Sequence, residues 1–401
     1  MLLGTAANAA PGDHLRAGDA VITPDLKLGF QYRSNAFRAE SNPQGTGALQ
    51  IVPGVAVTLD TPQISFGLDA RYQLNKFLFL GNPEGFSTDQ ISAQIGNLDR
   101  FNAFNVGADL NVLKDRQVSL RLGDNVLMQN NPNDSIPESD DPYASQFRNS
   151  LQGGIIGRPG PALSIDVGGK WQYSQFFVPT AEVQREPLNT RNSYGPTLDL
   201  KYSFLPRTAF VVDGSFFWNS WKDPDPTIGT LEFPTPNSRH LQFRTGVQGR
   251  ISERFRVVAK VGYGTAWYDD GNNLSALGGL LVALQGDYNV TQQHVITLGY
   301  RKNFVDSFFT NTATHNSIYG RWKGQYGDRV TSSLDYALRF EGYNGAIERQ
   351  DIVNQLRAGV DIKASDWLFT NVGAGWLSRM STDDLVEYSD VSANLGVTFT
   401  Y

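Results

Sequence analysis

The chain has 401 residues, a net charge of −6 and no cysteine, and 40% of its residues are hydrophobic. Without cysteine it can form neither a disulfide nor a thiolate metal site. The acidic balance argues against a nucleic-acid partner. No apolar run approaches the roughly 20 residues that a membrane-spanning helix needs. By length the chain could form two or three soluble domains or one large barrel.

The first residues resemble the end of a secretory signal. Residues 1–12 hold a short apolar run followed by small residues from Ala7 to Ala10, as near a signal cleavage site, but no basic segment precedes them. We interpret residues 1–12 as a residual signal or a disordered terminus. We expect residues 13–23 to form a periplasmic N-terminal segment.

From residue 24 onward, apolar and polar residues alternate in one segment after another. The segment from Gln63 to Lys76 carries its apolar side chains at every second position: Ile64, Phe66, Leu68, Ala70, Tyr72 and Leu74. Successive side chains of a strand point to opposite faces of the sheet. The pattern therefore predicts strands with one apolar face and one polar face.

About eighteen such segments follow one another, centred near residues 30, 55, 69, 107, 122, 153, 169, 199, 215, 246, 261, 284, 299, 321, 336, 358, 373 and 395. Short connections with turn residues lie at 60–62, 114–116, 159–161, 205–207, 252–254, 327–329 and 364–366. Long polar connections lie at 81–98, 130–146 and 222–238. Alternating short turns and long loops are typical of transmembrane β-barrels, whose short turns are periplasmic. An even strand number would place both termini on that side.

A soluble β-propeller or β-sandwich also has many regularly spaced strands. Three features favour a membrane barrel: strands of about fourteen residues rather than the usual five or six, unequal connections, and aromatic residues toward strand ends. These aromatics are Tyr32, Tyr72, Trp171, Tyr173, Tyr202, Phe204, Trp267, Tyr288, Tyr300, Trp322, Tyr326, Trp376 and Tyr401. The last strand ends on Tyr401 and in this resembles the C-terminal strand of bacterial outer-membrane barrels, which closes on Phe, Tyr or Trp. We predict an all-β fold, with residues 24–401 forming a transmembrane antiparallel β-barrel of about 18 strands in the outer membrane.

The polar faces would line a lumen, and an eighteen-stranded wall is wide enough to enclose water. By alternation, eighteen basic and twelve acidic residues point inward. The basic candidates for a solute path are Arg71, Arg121, Lys170, Lys201, Arg244, Arg256, Lys260, Arg301, Arg321, Lys323, Arg339 and Arg357. Their surplus predicts a channel that concentrates anions. The alternative is that the charges pair across strands and only stiffen the wall.

The sequence offers no catalytic constellation. Its four histidines, His14, His240, His294 and His315, lack metal-ligand spacing, and neither a Gly-x-Ser-x-Gly elbow nor a phosphate-binding glycine loop occurs. The loop from Asn130 to Asp141 is rich in oxygen ligands but lacks the spacing of a known calcium loop, so a solvated loop is favoured. We expect no enzyme activity, no cofactor and no metal site.

The stretch from Leu15 to Pro24, followed by LGFQYRSNAFRAE with its step from Asn35 to Arg38, resembles the start of the bacterial β-barrel porin 2 family. That family includes exopolysaccharide-secretion porins, and its architecture is similar to that of the alginate exporter. The resemblance implies a terminal conduit for an exopolysaccharide, often anionic, delivered by a periplasmic polysaccharide-export protein. Such a protein would dock on the short turns or on residues 11–23.

Three functions are therefore compatible with the sequence. The leading expectation is export of an anionic exopolysaccharide. The first alternative is a general or solute-specific diffusion porin, and the second is a plugged adhesion or receptor barrel. The expected surroundings are outer-membrane lipids and lipopolysaccharide, and the expected cargo is a polysaccharide or another anionic solute.

Overall fold

The structure is a computed structural model that describes residues 14–35, 43, 45–80, 103–130, 145–179, 185–222, 237–269, 277–306, 312–344, 348–383 and 386–401. The described strands are β1 (Leu15–Ala17), β2 (Ala20–Arg33), β3 (Thr46–Asp60), β4 (Ile64–Leu80), β5 (Ala103–Val112), β6 (Val118–Asn130), β7 (Ser145–Gly160), β8 (Leu163–Pro179), β9 (Arg185–Leu205), β10 (Thr208–Lys222), β11 (Ser238–Arg250), β12 (Phe255–Tyr268), β13 (Leu277–Asn289), β14 (His294–Asp306), β15 (Thr312–Tyr326), β16 (Val330–Asn344), β17 (Arg349–Lys363), β18 (Leu368–Ser381) and β19 (Tyr388–Thr400). Among these residues there is no helix long and apolar enough to cross a membrane.

Strands β2 to β19 form a closed antiparallel ring. Each pairs with its neighbours along the chain, and β19 pairs with β2, with Val397 opposite Leu28. Closure leaves no unpaired edge, as a sheet that spans lipid requires. The predicted barrel of about 18 strands is therefore confirmed. Strand β2 begins at Ala20, where it pairs with β3 and β1, and its pairing with β19, which closes the ring, begins at Asp25.

The two ends of the barrel differ in their connections. At one end, here the short-turn end, two to five residues join β3 to β4, β5 to β6 and each later pair up to β17 and β18. All seven predicted turns lie there, together with an eighth at residues 290–293, where the Thr291 hydroxyl accepts a hydrogen bond from the His294 amide at 3.1 Å. At the other end, here the long-loop end, connections reach 22 residues between β4 and β5.

An apolar belt surrounds the outside of the barrel. On β19, Val391, Leu395 and Phe399 are 50%, 51% and 37% exposed, far more than side chains of a soluble core. Exposed aromatic residues lie toward both ends of the strands. Toward the short turns they include Tyr202, Phe204, Tyr288, Tyr326, Trp367 and Tyr401, and toward the long loops Tyr32, Tyr194, Trp218, Trp267 and Trp376. Such a belt between two aromatic bands matches a lipid bilayer with its two interfaces.

Strands β11 and β12 approach each other more closely than side chains would allow. A Cβ atom added to Gly262 would lie 1.8 Å from the carbonyl oxygen of Phe243, and one added to Gly246 would lie 1.9 Å from that of Ala259. Both glycines belong to the inward face. Glycine therefore permits the tight coiling of this part of the wall.

The long-loop end of β14 departs from the regular wall. Pairing between β13 and β14 stops at Val282 opposite Lys302, while β14 remains paired with β15 up to Asp306. Alternation would direct Phe304 outward. Instead, Phe304 packs inside the barrel against Ala266 and Leu281 and is 8% exposed. This end of β14 therefore leans over the inner wall of β12 and β13.

Candidate functional site: the charged wall of the lumen

All twelve predicted basic residues lie on the inward face of their strands. Each is out of phase with the exposed apolar residues of its strand; Arg321, for example, is opposite Thr297 and Asp335, whereas Ile318 and Tyr326 are exposed on the outer belt. The structure therefore places the twelve as alternation predicts. Their part in a solute path stays a prediction.

One group, the paired cations, is neutralised by neighbouring carboxylates. Arg121 Nε lies 2.7 Å from Asp166 Oδ2, Arg71 lies 3.2 Å from Asp69 and 3.6 Å from Asp25, and Arg339 lies 3.4 Å from Glu341. Arg321 pairs with Asp335. Inward charges therefore do pair in this group, across strands for Arg121 and Arg321, but within β16 for Arg339.

Asp213 holds two paired cations at once. It lies directly opposite Arg244 on β11, and its carboxylate is 2.6 Å from Arg244 Nε and 2.6 Å from Lys260 Nζ on β12. Charge-assisted hydrogen bonds of this length are strong. One acid on β10 therefore joins three strands of the inner wall and neutralises only one of the two positive charges.

Five of the predicted residues, the open cations, form no ion pair with any residue that the structure describes. They are Lys170, Lys201, Arg256, Arg301 and Lys323. The twelfth residue, Arg357, lies opposite Asp335 in the register and has an interaction partner, so it is not an open cation. We do not count it among the paired cations either. The open cations are distributed over β8, β9, β12, β14 and β15. The inward wall thus keeps unneutralised positive charge around much of the barrel.

Sequence reasoning missed two cations beside Lys170. Ser174 of β8 is fully buried, and its register partners are Arg148 on β7 and Arg191 on β9. The positive charges of both arginines repel that of Lys170. The guanidinium of Arg191 also lies over the Trp221 ring, 5.4 Å from its centre. The period-2 pattern of β7 and β9 would have found both residues if it had been followed to the long-loop ends of these strands.

A buried ionic network lies on the inward face near the long loops. Arg349 and Asp351 are 3.2 Å apart, and Arg379 lies 3.7 Å from Asp351 and 3.8 Å from Glu341. Tyr343 donates a hydrogen bond to Glu341 at 3.0 Å. These charges are at most 7% exposed, and charges buried so fully are stable when paired. We assign the network to the rigidity of the wall.

The described residues contain no group of three histidine or acidic side chains that could hold a metal ion. His14 precedes β1, and the other histidines lie on β11, β14 and β15. The oxygen-rich loop from Asn130 to Asp141 falls, apart from its first residue, outside the described residues.

A scan of the chain against protein-family models gives no match, and a comparison with curated protein sequences gives none either. The resemblance to the β-barrel porin 2 family is therefore not confirmed.

Solved structures of outer-membrane barrels do match. The FrpB iron transporter of Neisseria meningitidis is 8% identical, with a TM-score of 0.50 over 95% of this chain and 81% of that chain. OccAB3 of Acinetobacter baumannii is 11% identical, with a TM-score of 0.48 over 96% and 100% of the two chains. OpdK of Pseudomonas aeruginosa, solved with vanillate, is 14% identical, with a TM-score of 0.48 over 95% and 98%. At these identities the likeness concerns the fold alone.

The closed ring, the outer belt and the polar inner wall define an outer-membrane β-barrel. Nothing in the comparisons supports polysaccharide export.

Proposed function

We propose that this chain is an outer-membrane diffusion channel that admits small anionic solutes in preference to cations. The observation that carries the proposal is the set of open cations, Lys170, Lys201, Arg256, Arg301 and Lys323, on the inward face of a closed barrel. Each paired cation has a carboxylate within 4 Å, which shortens the reach of its field, although Arg244 and Lys260 share the single charge of Asp213. Inward acids that also lack an ion pair among the described residues, such as Asp199 and Asp287, offset part of the charge of the open cations. Eighteen inward basic residues against twelve acidic ones still leave a positive excess in the lumen, which raises the local concentration of anions.

The dimensions limit how strong this preference can be. Eighteen tilted strands about 4.8 Å apart give a barrel roughly 35 Å across between backbones. Side chains narrow this space, but the axis still lies farther from the wall than the Debye length of about 8 Å at physiological salt. The preference for anions should therefore be moderate, and it should weaken as salt concentration rises.

Diffusion of small solutes is the alternative that the sequence left open, and we now prefer it to export of an exopolysaccharide. Both would use a positive lumen. Export additionally needs a periplasmic polysaccharide-export protein, whereas diffusion needs no partner protein. A plugged receptor barrel differs from both, because it would conduct little current.

Planar-bilayer recording tests the proposal. In a potassium chloride gradient, the reversal potential of the wild-type channel should have the sign of chloride preference. Replacing Arg301 and Lys323 by glutamine should shift it toward potassium. These two open cations lie on adjacent strands, β14 and β15, so their removal lowers the charge of one part of the wall.

A matched control removes a neutral pair from the same region. Arg321→Gln combined with Asp335→Asn deletes an ion pair and leaves the charge of the wall unchanged. It should leave the reversal potential at the wild-type value. An equal shift in both double variants would mean that the reversal potential follows pore shape instead of wall charge, and absence of conductance would favour the plugged barrel.

We also propose the lipid contacts and the orientation of the barrel in the membrane. The outward belt suits outer-membrane lipids and lipopolysaccharide, and the short-turn end with both termini would face the periplasm.

A further inference from the structure

The inner wall carries a groove at the short-turn end, which we call the mouth groove. It has a volume of about 330 Å³ and lies between the β9–β10 turn, the end of β11 and the start of β12. Four cations line it: Lys201, Arg207, Arg250 and Arg256. Its lining contains no carboxylate among the described residues, but it includes the neutral polar side chains of Ser203, Thr208 and Gln248.

The strand register forces two of these cations together. Arg250 and Arg256 are direct register partners on β11 and β12, so their Cα atoms are about 5 Å apart. Like charges directly opposite each other destabilise a sheet. None of the four cations of the mouth groove forms an ion pair with a described residue. The nearest acid in the register is Asp287 of β13, opposite Arg256 on the side away from the groove, so the cations that line the groove keep their charge available to a ligand.

The two other inward cations of the same strand pair are compensated by an acid. Higher on the wall, Arg244 of β11 and Lys260 of β12 share Asp213 of β10, each at 2.6 Å. The two strands are thus able to carry a compensated cation pair. At the mouth groove the corresponding position on β10 and its turn holds Arg207 and Thr208 instead of an acid.

We propose that the mouth groove binds a compact solute with two or more negative charges, such as a phosphate or a di- or tricarboxylate. Three guanidinium groups offer paired donors that match carboxylate and phosphate oxygens, and the lysine adds a point charge. The volume is at the lower end of the range for small-molecule sites, about 300 to 1,000 Å³. The groove opens to the lumen, so the ligand is a dissolved small molecule. This inference deepens the proposed function, because the ligand is a solute of the channel.

Citrate is the probe, with acetate as the monovalent control. Citrate is added to the compartment that the short-turn end of the barrel faces. It should block the wild-type current at far lower concentrations than acetate. Arg250→Gln combined with Arg256→Gln should raise the citrate concentration for half block by about tenfold or more, since losing a hydrogen bond to a charged group typically weakens binding by at least about that factor. Arg301→Gln combined with Lys323→Gln removes the same charge elsewhere on the wall and should change the block by less than threefold.

Calorimetry on the detergent-solubilised barrel supplies a second readout that needs no current. Wild-type protein should bind citrate, and the Arg250 and Arg256 double variant should lose measurable binding while keeping the heat-dependent gel mobility of a folded barrel. If that variant fails to fold, Lys201→Gln replaces it, with a smaller expected loss of several-fold.

The outcomes separate this inference from the proposed function. Equal citrate block in the two double variants, or no difference between citrate and acetate in the wild type, would overturn the mouth groove as a binding site even if the channel prefers anions. Citrate binding that depends on Arg250 and Arg256 in a channel without anion preference would instead support the groove and contradict the proposed function.

Discussion

A charge placed on the outer face of a strand should behave very differently from the same charge one residue away. Leu395 lies near the middle of β19, is 51% exposed on the outer belt, and has the apolar register partners Val372 and Phe30. Asn394 points into the lumen opposite Gly373 and Gln31. Leu395→Arg would move a guanidinium into lipid, whereas Asn394→Arg would leave it in water.

The expected difference is large enough to measure. Arginine on the lipid face near the midplane costs about 2 to 4 kcal/mol, which lowers the folding equilibrium constant roughly 30- to 1,000-fold. Asn394→Arg should change stability by no more than about 0.5 kcal/mol, as other water-facing substitutions do. Urea titration of barrels refolded into phosphatidylcholine vesicles, followed by heat-dependent gel mobility, measures both variants. Equal stability losses would show that the assigned faces are wrong.

Two further substitutions test particular sites. Gly262→Ala should lower the free energy of unfolding by about 1 to 3 kcal/mol through overpacking, because its Cβ would lie 1.8 Å from a backbone oxygen. Gly279→Ala, which has open space at its Cβ, should be tolerated in the same refolding assay. Similar losses in the two variants would contradict the close approach of β11 and β12. Asp124→Leu should stabilise the barrel by about 1 to 2 kcal/mol, because Asp124 shares the outward face of Leu122 and its Oδ1 atom is buried without a described hydrogen-bond partner. A loss of stability on removing Asp124 would indicate that this carboxylate has a partner outside the described chain.

The sequence predicts the barrel well because its main signal is local. Alternation from Gln63 to Lys76 depends on the two-residue period of a strand, which holds wherever β4 is placed. Turn residues then mark one end of the barrel. Strand number, the inward set of cations and the outer belt follow from these two features.

Pairing of the charges could not be predicted in the same way. Whether Lys260 is neutralised depends on the register of β10, β11 and β12, which brings Asp213 within 2.6 Å of it. Arg256 is on the same strand and the same face, yet its register partner on β11 is another arginine. Alternation treats the two cations alike, and only the relative shift of neighbouring strands separates them.

Exceptions to the alternation of inward and outward side chains could not be predicted from the sequence either. Phe304 has the phase of an outward residue, but β14 leaves β13 before it and the ring packs inside on Leu281. Asp124 is the opposite case. It is a charged residue in the middle of β6 at a position whose alternation directs the side chain outward, where an apolar residue is expected. In both cases long-range packing, and not the local period, decides the environment of the side chain.

The sign of the wild-type reversal potential in a potassium chloride gradient tests the central claim, that unneutralised cations line an open lumen. A potential of the chloride-preferring sign that declines as the salt concentration rises would agree with the open cations Lys170, Lys201, Arg256, Arg301 and Lys323 facing water. A potassium-preferring potential, or one that does not change with salt, would contradict it.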